Sequence, residues 1–243
     1  MRPTLAAVTL EPSGGGVATV ARLLWQVLQR EFGPDARLIT LLPEGRRQPT
    51  LADKLRFGAR VAQVQVAGAT DWMLFSHLAL AKAHDRVPGR IRCGYGIFLH
   101  GIEAWCPLSA QEQRLLREAD LRIANSAFTA ARVMSAHPDV GEVIPCPLAL
   151  PEPLRTSPPP GTPVPSSTVQ AITPPLRLGP HAVLVVGRLS SLERYKGHDQ
   201  LIDAWPSVVA SIPDAQLVIV GEGDDRARLE DQARRAGVAA HTV

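Results

Sequence analysis

Aromatic residues are scarce in this chain: five Phe, four Trp and two Tyr make up 5% of its 243 residues. Cysteine is scarcer still. Cys93, Cys106 and Cys146 are odd in number and form neither CxxC nor any Cys/His ligand spacing. Disulfides and structural zinc are therefore not expected, and buried reduced thiols are. No run of about 18 apolar residues occurs, and the start MRPTLAAVTLEPSGGG lacks the apolar core and cleavage signal of a secretory peptide. A cytoplasmic protein without a transmembrane segment is expected, which leaves peripheral membrane contact open. No GxxxxGK[ST] is present, which disfavours a P-loop kinase or ATPase. No Asp-x-Asp is present either, so a metal-held diphosphate lacks its usual short motif and no metal ligand set is expected. A one-signed charge excess is also missing. Lys and Arg number 26 against 23 Asp and Glu, so nucleic acid is not an expected partner.

What is there is ordinary globular material, 45% hydrophobic and 20% charged, which excludes disorder, collagen and coiled coil for the whole. Length leaves room for one large domain or two ordinary ones. Ten of the 22 prolines fall at 151–180, where no apolar period survives. That stretch reads as a linker between a domain at 1–150 and a second segment at 181–243. On both sides short apolar runs alternate with amphipathic stretches, the pattern of βαβ units and a parallel sheet. Strands are expected at 4–10, 37–42, 72–76, 94–99, 120–124 and 142–146. A helix at 17–31 has Val17, Val20, Ala21, Leu24 and Leu28 on one face and is ended by Gly33 and Pro34. Another opens at Ser109, with Glu112 completing a capping box. The second segment reads as strand 182–186, helix 198–211, strand 216–220 and helix 224–235, and VAAHTV stands where a third strand would begin.

The most informative turn is GRLSSLERYKG, 187–197, which leaves a strand at its carboxyl end and enters a helix, where open α/β sheets bind ligands. Arg188 and Lys196 flank it beside the free N–H groups of that helix, a combination suited to a diphosphate. Solvated loop cations are the bland alternative, which must also account for Gly187 and Gly197. A second turn, Gly221-Glu222-Gly223-Asp224-Asp225, lacks the third glycine of a dinucleotide fingerprint, and its aspartates suit a helix start better than a metal. In the first domain, Ser13-Gly14-Gly15-Gly16 joins strand one to helix one and can present backbone N–H groups to an anion or a sugar; a bare flexible turn is the alternative. His100-Gly101-Ile102-Glu103 puts an imidazole and a carboxylate at a strand's carboxyl end, and His77 has the same placement. A lone His in that setting is more often a satisfied structural residue.

Together these stretches resemble the retaining glycosyltransferases of family 4. The similarity lies in EPSGGGVATVARLL, FLHGIEAW, ANSAFTAARV, VIPCPL and, above all, VVGRLSSLERYKGHDQLIDAWPSVVASIPDAQLVIVGEGDDRARLE. It implies an α/β, GT-B-like chain: an acceptor-side Rossmann-like domain at 1–150 and a donor-binding Rossmann-like domain at 181–243, expected to be incomplete. It implies transfer of a hexose-like sugar from a nucleotide-diphosphate donor, with retained configuration, no metal and no other cofactor. By resemblance His100, Arg188 and Lys196 are catalytic. Gly15, Gly16, Arg188, Lys196, Gly221, Glu222 and Gly223 bind the donor, and His77 and Glu103 lie toward an acceptor that is a saccharide, a lipid or a small molecule. The family's pair of glutamates seven residues apart, which contacts donor sugar and ribose, would fall beyond residue 243. A non-catalytic nucleotide-sugar or phosphate-binding module, or an inactive fragment, is the alternative. A nicotinamide enzyme is a third reading, disfavoured by the absent third glycine.

Overall fold

The computed structural model describes residues 1–46, 48–148, 178–191 and 193–243. The chain divides into two compact units, Met1–Ser157 and Pro158–Val243. The linker expected at 151–180 lies outside the described residues as far as residue 177.

In the first unit six parallel strands form one sheet: β1 (Pro3–Ala7), β2 (Arg37–Thr40), β3 (Trp72–Phe75), β4 (Gly94–Leu99), β5 (Leu121–Ala124) and β6 (Ile144–Pro145). Their spatial order is β2-β1-β3-β4-β5-β6. The sheet thus grows one way from β1 to β2 and the other way from β1 to β3, which makes β1/β3 the switch point of a doubly wound fold. β1 is buried throughout. Its Leu5 and Ala7 join Ala21, Leu74 and Leu24 on one face, while Ala6 joins Met73, Phe75, Phe57 and Val61 on the other. A strand buried on both faces has no need of polar alternation, which is why TLAA reads as one apolar run.

Helices α1 (Gly15–Phe32), α2 (Leu51–Val66), α3 (Lys82–Asp85), α4 (Ile102–Trp105), α5 (Ala110–Glu118) and α6 (Ala127–Ala136) connect these strands. Gly33 (φ 51°) ends α1, and the Ser109–Glu112 capping box opens α5 as its sequence requires. A second capping box, Thr50 with Asp53, opens α2. The first strand is shorter than 4–10: beyond Ala7 the chain turns toward a 3-10 turn at Pro12–Gly14.

The second unit has β7 (Ala182–Val186) parallel to β8 (Gln216–Val220), with α7 (His198–Ser211) between them and α8 (Arg226–Arg235) after β8. Thr242 makes a parallel bridge to Leu217, so VAAHTV does begin to pair on the far side of β8. Leu189, Ile202, Trp205, Leu217 and Leu229 are buried together as the core.

Candidate functional site

At the switch point of the first unit, the turn after β1 and the turns after β3 and β4 all leave the sheet at its carboxyl end. Gly15 takes φ 66°, a backbone that an L side chain rarely adopts, as the chain swings from the 3-10 turn into α1. A Cβ on Gly14 would lie 2.6 Å from Thr9 Cγ2 and Ala18 Cβ, whereas Gly16 faces open space. Gly14 is therefore small for packing, and Gly16 has no steric reason to be glycine. The turn carries no acidic residue in the first turn of α1, so the helix N-terminus keeps its positive potential.

His100 follows β4. Its Nε2 lies 2.7 Å from the Ser76 carbonyl and donates to it, which leaves Nδ1 with no partner among the described residues. The rest of the turn is held from two sides. Glu103 Oε1 accepts from the backbone N–H groups of His100 (2.6 Å) and Gly101 (3.2 Å), and Asn125 Nδ2 donates to the His100 carbonyl (2.6 Å). His77 stacks on His100 with ring centroids 6.1 Å apart, and its Nδ1 accepts from Ala79 N. Burial, with the neighbouring His100 adding to it and Glu103 opposing, pushes the His77 pKa below its usual value. That direction agrees with the neutral, Nε2–H tautomer its hydrogen bond demands. The structure brings His77, His100 and Glu103 together at the carboxyl ends of β3 and β4.

In the second unit the turns after β7 and β8 are packed onto each other. Leu189 N donates to the Glu222 carbonyl and Asp225 N to the Leu189 carbonyl. A Cβ on Gly221 would stand 1.9 Å from the Gly187 carbonyl oxygen, and one on Gly223 would stand 1.8 Å from that of Leu189. Both glycines are explained by this close approach alone. Asp224 accepts from Ser191 N (3.2 Å) and Ser191 Oγ (2.6 Å), which tethers the first turn. That tether, rather than any cap on α8, lowers its pKa. Asp225 stands at the α8 N-cap without a side-chain cap and pairs with Arg228, which forks onto Asp199 as well. The helix-start role expected for the aspartates therefore takes the form of ion pairing and loop tethering.

Arg188 and Lys196 meet at one carboxylate. Arg188 Nη2 lies 2.5 Å from Glu193 Oε1, and Lys196 Nζ lies 2.7 Å from Glu193 Oε2. Gly197 takes a left-handed φ of 88° and begins α7 directly behind Lys196. Beside these turns is a cavity of about 410 Å³ whose lining includes Leu189, Ile219, Gly221, Arg226 and Glu230. Among the described residues no group of three or more His, Cys, Asp or Glu is placed to hold a metal ion. Nor is any helix there long and apolar enough to cross a membrane.

Residues 174–243 match the family described as Glycosyl transferases group 1. That span contains both turns of the second unit. No curated protein matches the chain. Anabaena HepE in complex with UDP-glucose is similar in structure, with a TM-score of 0.63 at 18% identity over 99% of this chain and 67% of that one. The apo lipopolysaccharide outer core galactosyltransferase WaaB gives 0.58 at 14% identity, over 99% and 67%. A glycosyltransferase from Rickettsia africae gives 0.52 at 14% identity, over the same shares. At these identities the likeness establishes the fold, an α/β arrangement of parallel sheets as in GT-B glycosyltransferases.

Two residues of the site escaped the sequence reading. Asn125 sits inside ANSAFTAARV, where its hydrogen bond to His100 links positions 25 apart and no local pattern signals it. Glu193 lies within the turn that was singled out, three residues before Lys196, a spacing that could have suggested an ion pair.

Proposed function

We propose that the chain is a retaining, metal-independent glycosyltransferase of the family 4 type, working in the cytoplasm. It takes a hexose from a nucleotide-diphosphate sugar and passes it to a hydroxyl-bearing acceptor. The observation that carries the reading is the convergence of Arg188 and Lys196 at the carboxyl end of β7, within the span that matches the glycosyltransferase family. As the bond from sugar to phosphate breaks, negative charge builds on the leaving diphosphate. Two preplaced cations stabilise that charge more than they stabilise the intact donor, which is what lowers a barrier. Arg188 and Lys196 are the catalytic groups of this step. Gly221, Glu222 and Gly223 border the nucleotide beside the 410 Å³ cavity.

The first unit carries candidate groups of its own. Gly15 and Gly16 offer backbone N–H groups to a phosphate, consistent with a helix N-terminus free of acidic side chains. His100 Nδ1 accepts a hydroxyl of the transferred sugar, while His77 and Glu103 lie toward the acceptor. Anabaena HepE was solved with UDP-glucose, so a uridine nucleotide is the first donor to test.

Calorimetry with UDP and uridine tests the assignment. A charge-assisted hydrogen bond is worth about 1.5 to 3 kcal/mol, so Arg188→Ala and Lys196→Ala should each weaken UDP binding about tenfold or more. Uridine binding should not change, and EDTA should leave UDP binding where it was. Equal losses for both ligands would overturn the assignment.

A further inference from the structure

The proposed diphosphate site contains an acidic residue, which at first sight argues against an anion. Glu193 holds Arg188 at 2.5 Å and Lys196 at 2.7 Å, one cation on each carboxylate oxygen. Its backbone is pinned in the same turn: Glu193 N donates to the Ser190 carbonyl, and Lys196 N donates to the Glu193 carbonyl. The Glu193 side chain is 20% exposed, Lys196 28% and Arg188 63%. The carboxylate is thus the most enclosed member of the trio and the cations are its outer members. Arg188 spends one of its five N–H donors on the carboxylate and Lys196 one of its three, so both retain donors for a second anion.

We propose that Glu193 is a positioning residue for the donor diphosphate: it draws Arg188 and Lys196 together so that their remaining N–H groups face one ligand. This inference rests on the reading of Arg188 and Lys196 given above. Two like-charged, rotamer-rich side chains on a turn repel one another and would otherwise spread. The more enclosed carboxylate gathers them before the ligand arrives, which lowers the ordering cost of binding. Glu193 also repels a phosphate, but both its oxygens are ion-paired, and the pairing offsets much of that charge. Arg194, the neighbouring cation, is directed elsewhere, toward Asp225 at 3.7 Å.

The probes are inorganic pyrophosphate and UDP, titrated at fixed ionic strength into the full chain and into Glu193→Gln, Glu193→Asp, Arg188→Ala and Lys196→Ala. Glu193→Gln keeps the shape and loses the charge. It should bind both probes about tenfold more weakly, with its thermal midpoint near that of the wild type. Glu193→Asp, with charge kept and reach shortened by one methylene, should recover part of the affinity, a rescue that a merely structural role would not produce. Unchanged binding by Glu193→Gln, where Arg188→Ala and Lys196→Ala bind weakly, overturns this inference and leaves the diphosphate assignment standing. Tighter binding by Glu193→Gln also overturns it, because the carboxylate would then be a competitor for the seat. A wild-type chain that binds neither probe overturns both readings.

Discussion

His84 is the sharpest case of a single residue out of its usual setting. It is fully buried against Phe75 and Tyr95, and neither ring nitrogen has a hydrogen-bond partner among the described residues. Burial, with Arg92 adding to it, pushes its pKa down to about 4. Above about pH 6.5 the ring is neutral in folded and unfolded chains alike, and the core keeps its full stability. Between about 6.5 and 4 the unfolded chain binds a proton that the folded one refuses, so stability falls as pH falls; below 4 no further loss comes from this ring. The total is on the order of 3 kcal/mol at about 1.4 kcal/mol per pKa unit. Urea unfolding at pH 7.5 and pH 4.5 should show the loss, and His84→Leu should show less of it. An identical pH dependence in the variant would assign the effect to other groups.

At the scale of elements, most strands and helices could be read from apolar period and punctuation. β1 and β8 are continuous apolar runs, Gly33 and Pro34 stop α1, and Ser109 with Glu112 starts α5. The Thr50–Asp53 box of α2 is equally local, yet nothing apolar precedes it to mark a boundary. What sequence could not show is which glycines serve a ligand and which serve packing, because a Cβ clash involves residues far apart in the chain. A Cβ on Gly221 or Gly223 would stand less than 2 Å from the carbonyl oxygen of Gly187 or Leu189, while one on Gly16 would meet nothing. Gly221→Ala or Gly223→Ala should therefore force the two turns apart and destabilise the second unit by about 3 kcal/mol or more. Gly16→Ala should fold at least as well as the wild type, since alanine favours a helix by about 1 kcal/mol over glycine. If a donor phosphate lies against that turn, Gly16→Ala should still lose UDP affinity. Stability and UDP titration of the three variants separate the roles; a Gly16→Ala chain with normal affinity removes Gly16 from the site.

Over the whole molecule, the two units differ in how well their sheets are covered. In the first unit apolar clusters lie on both faces of the central strands. In the second, Leu217 and Val218 of β8 are buried, but Leu184 and Val186 of β7 are 59% and 72% exposed, with Val220 of β8 also open on the same face. Among the described residues β7 pairs only with β8, so its other edge presents unpaired backbone groups beside this apolar patch. Such an edge invites self-association. Burying what remains exposed of Leu184, Val186 and Val220 would contribute on the order of 3 to 5 kcal/mol, close to the lower end of the about 4 to 15 kcal/mol that association costs before any contact is made. The two nearly cancel, so association should be weak and appear only at high protein concentration. Sedimentation across a concentration series should show it, and Leu184→Lys, which places a charge on the open face without touching the β7–β8 ladder, should suppress it. A wild-type chain that stays monomeric throughout and exchanges β7 amides as slowly as those of β1 would mean that β7 is covered after all.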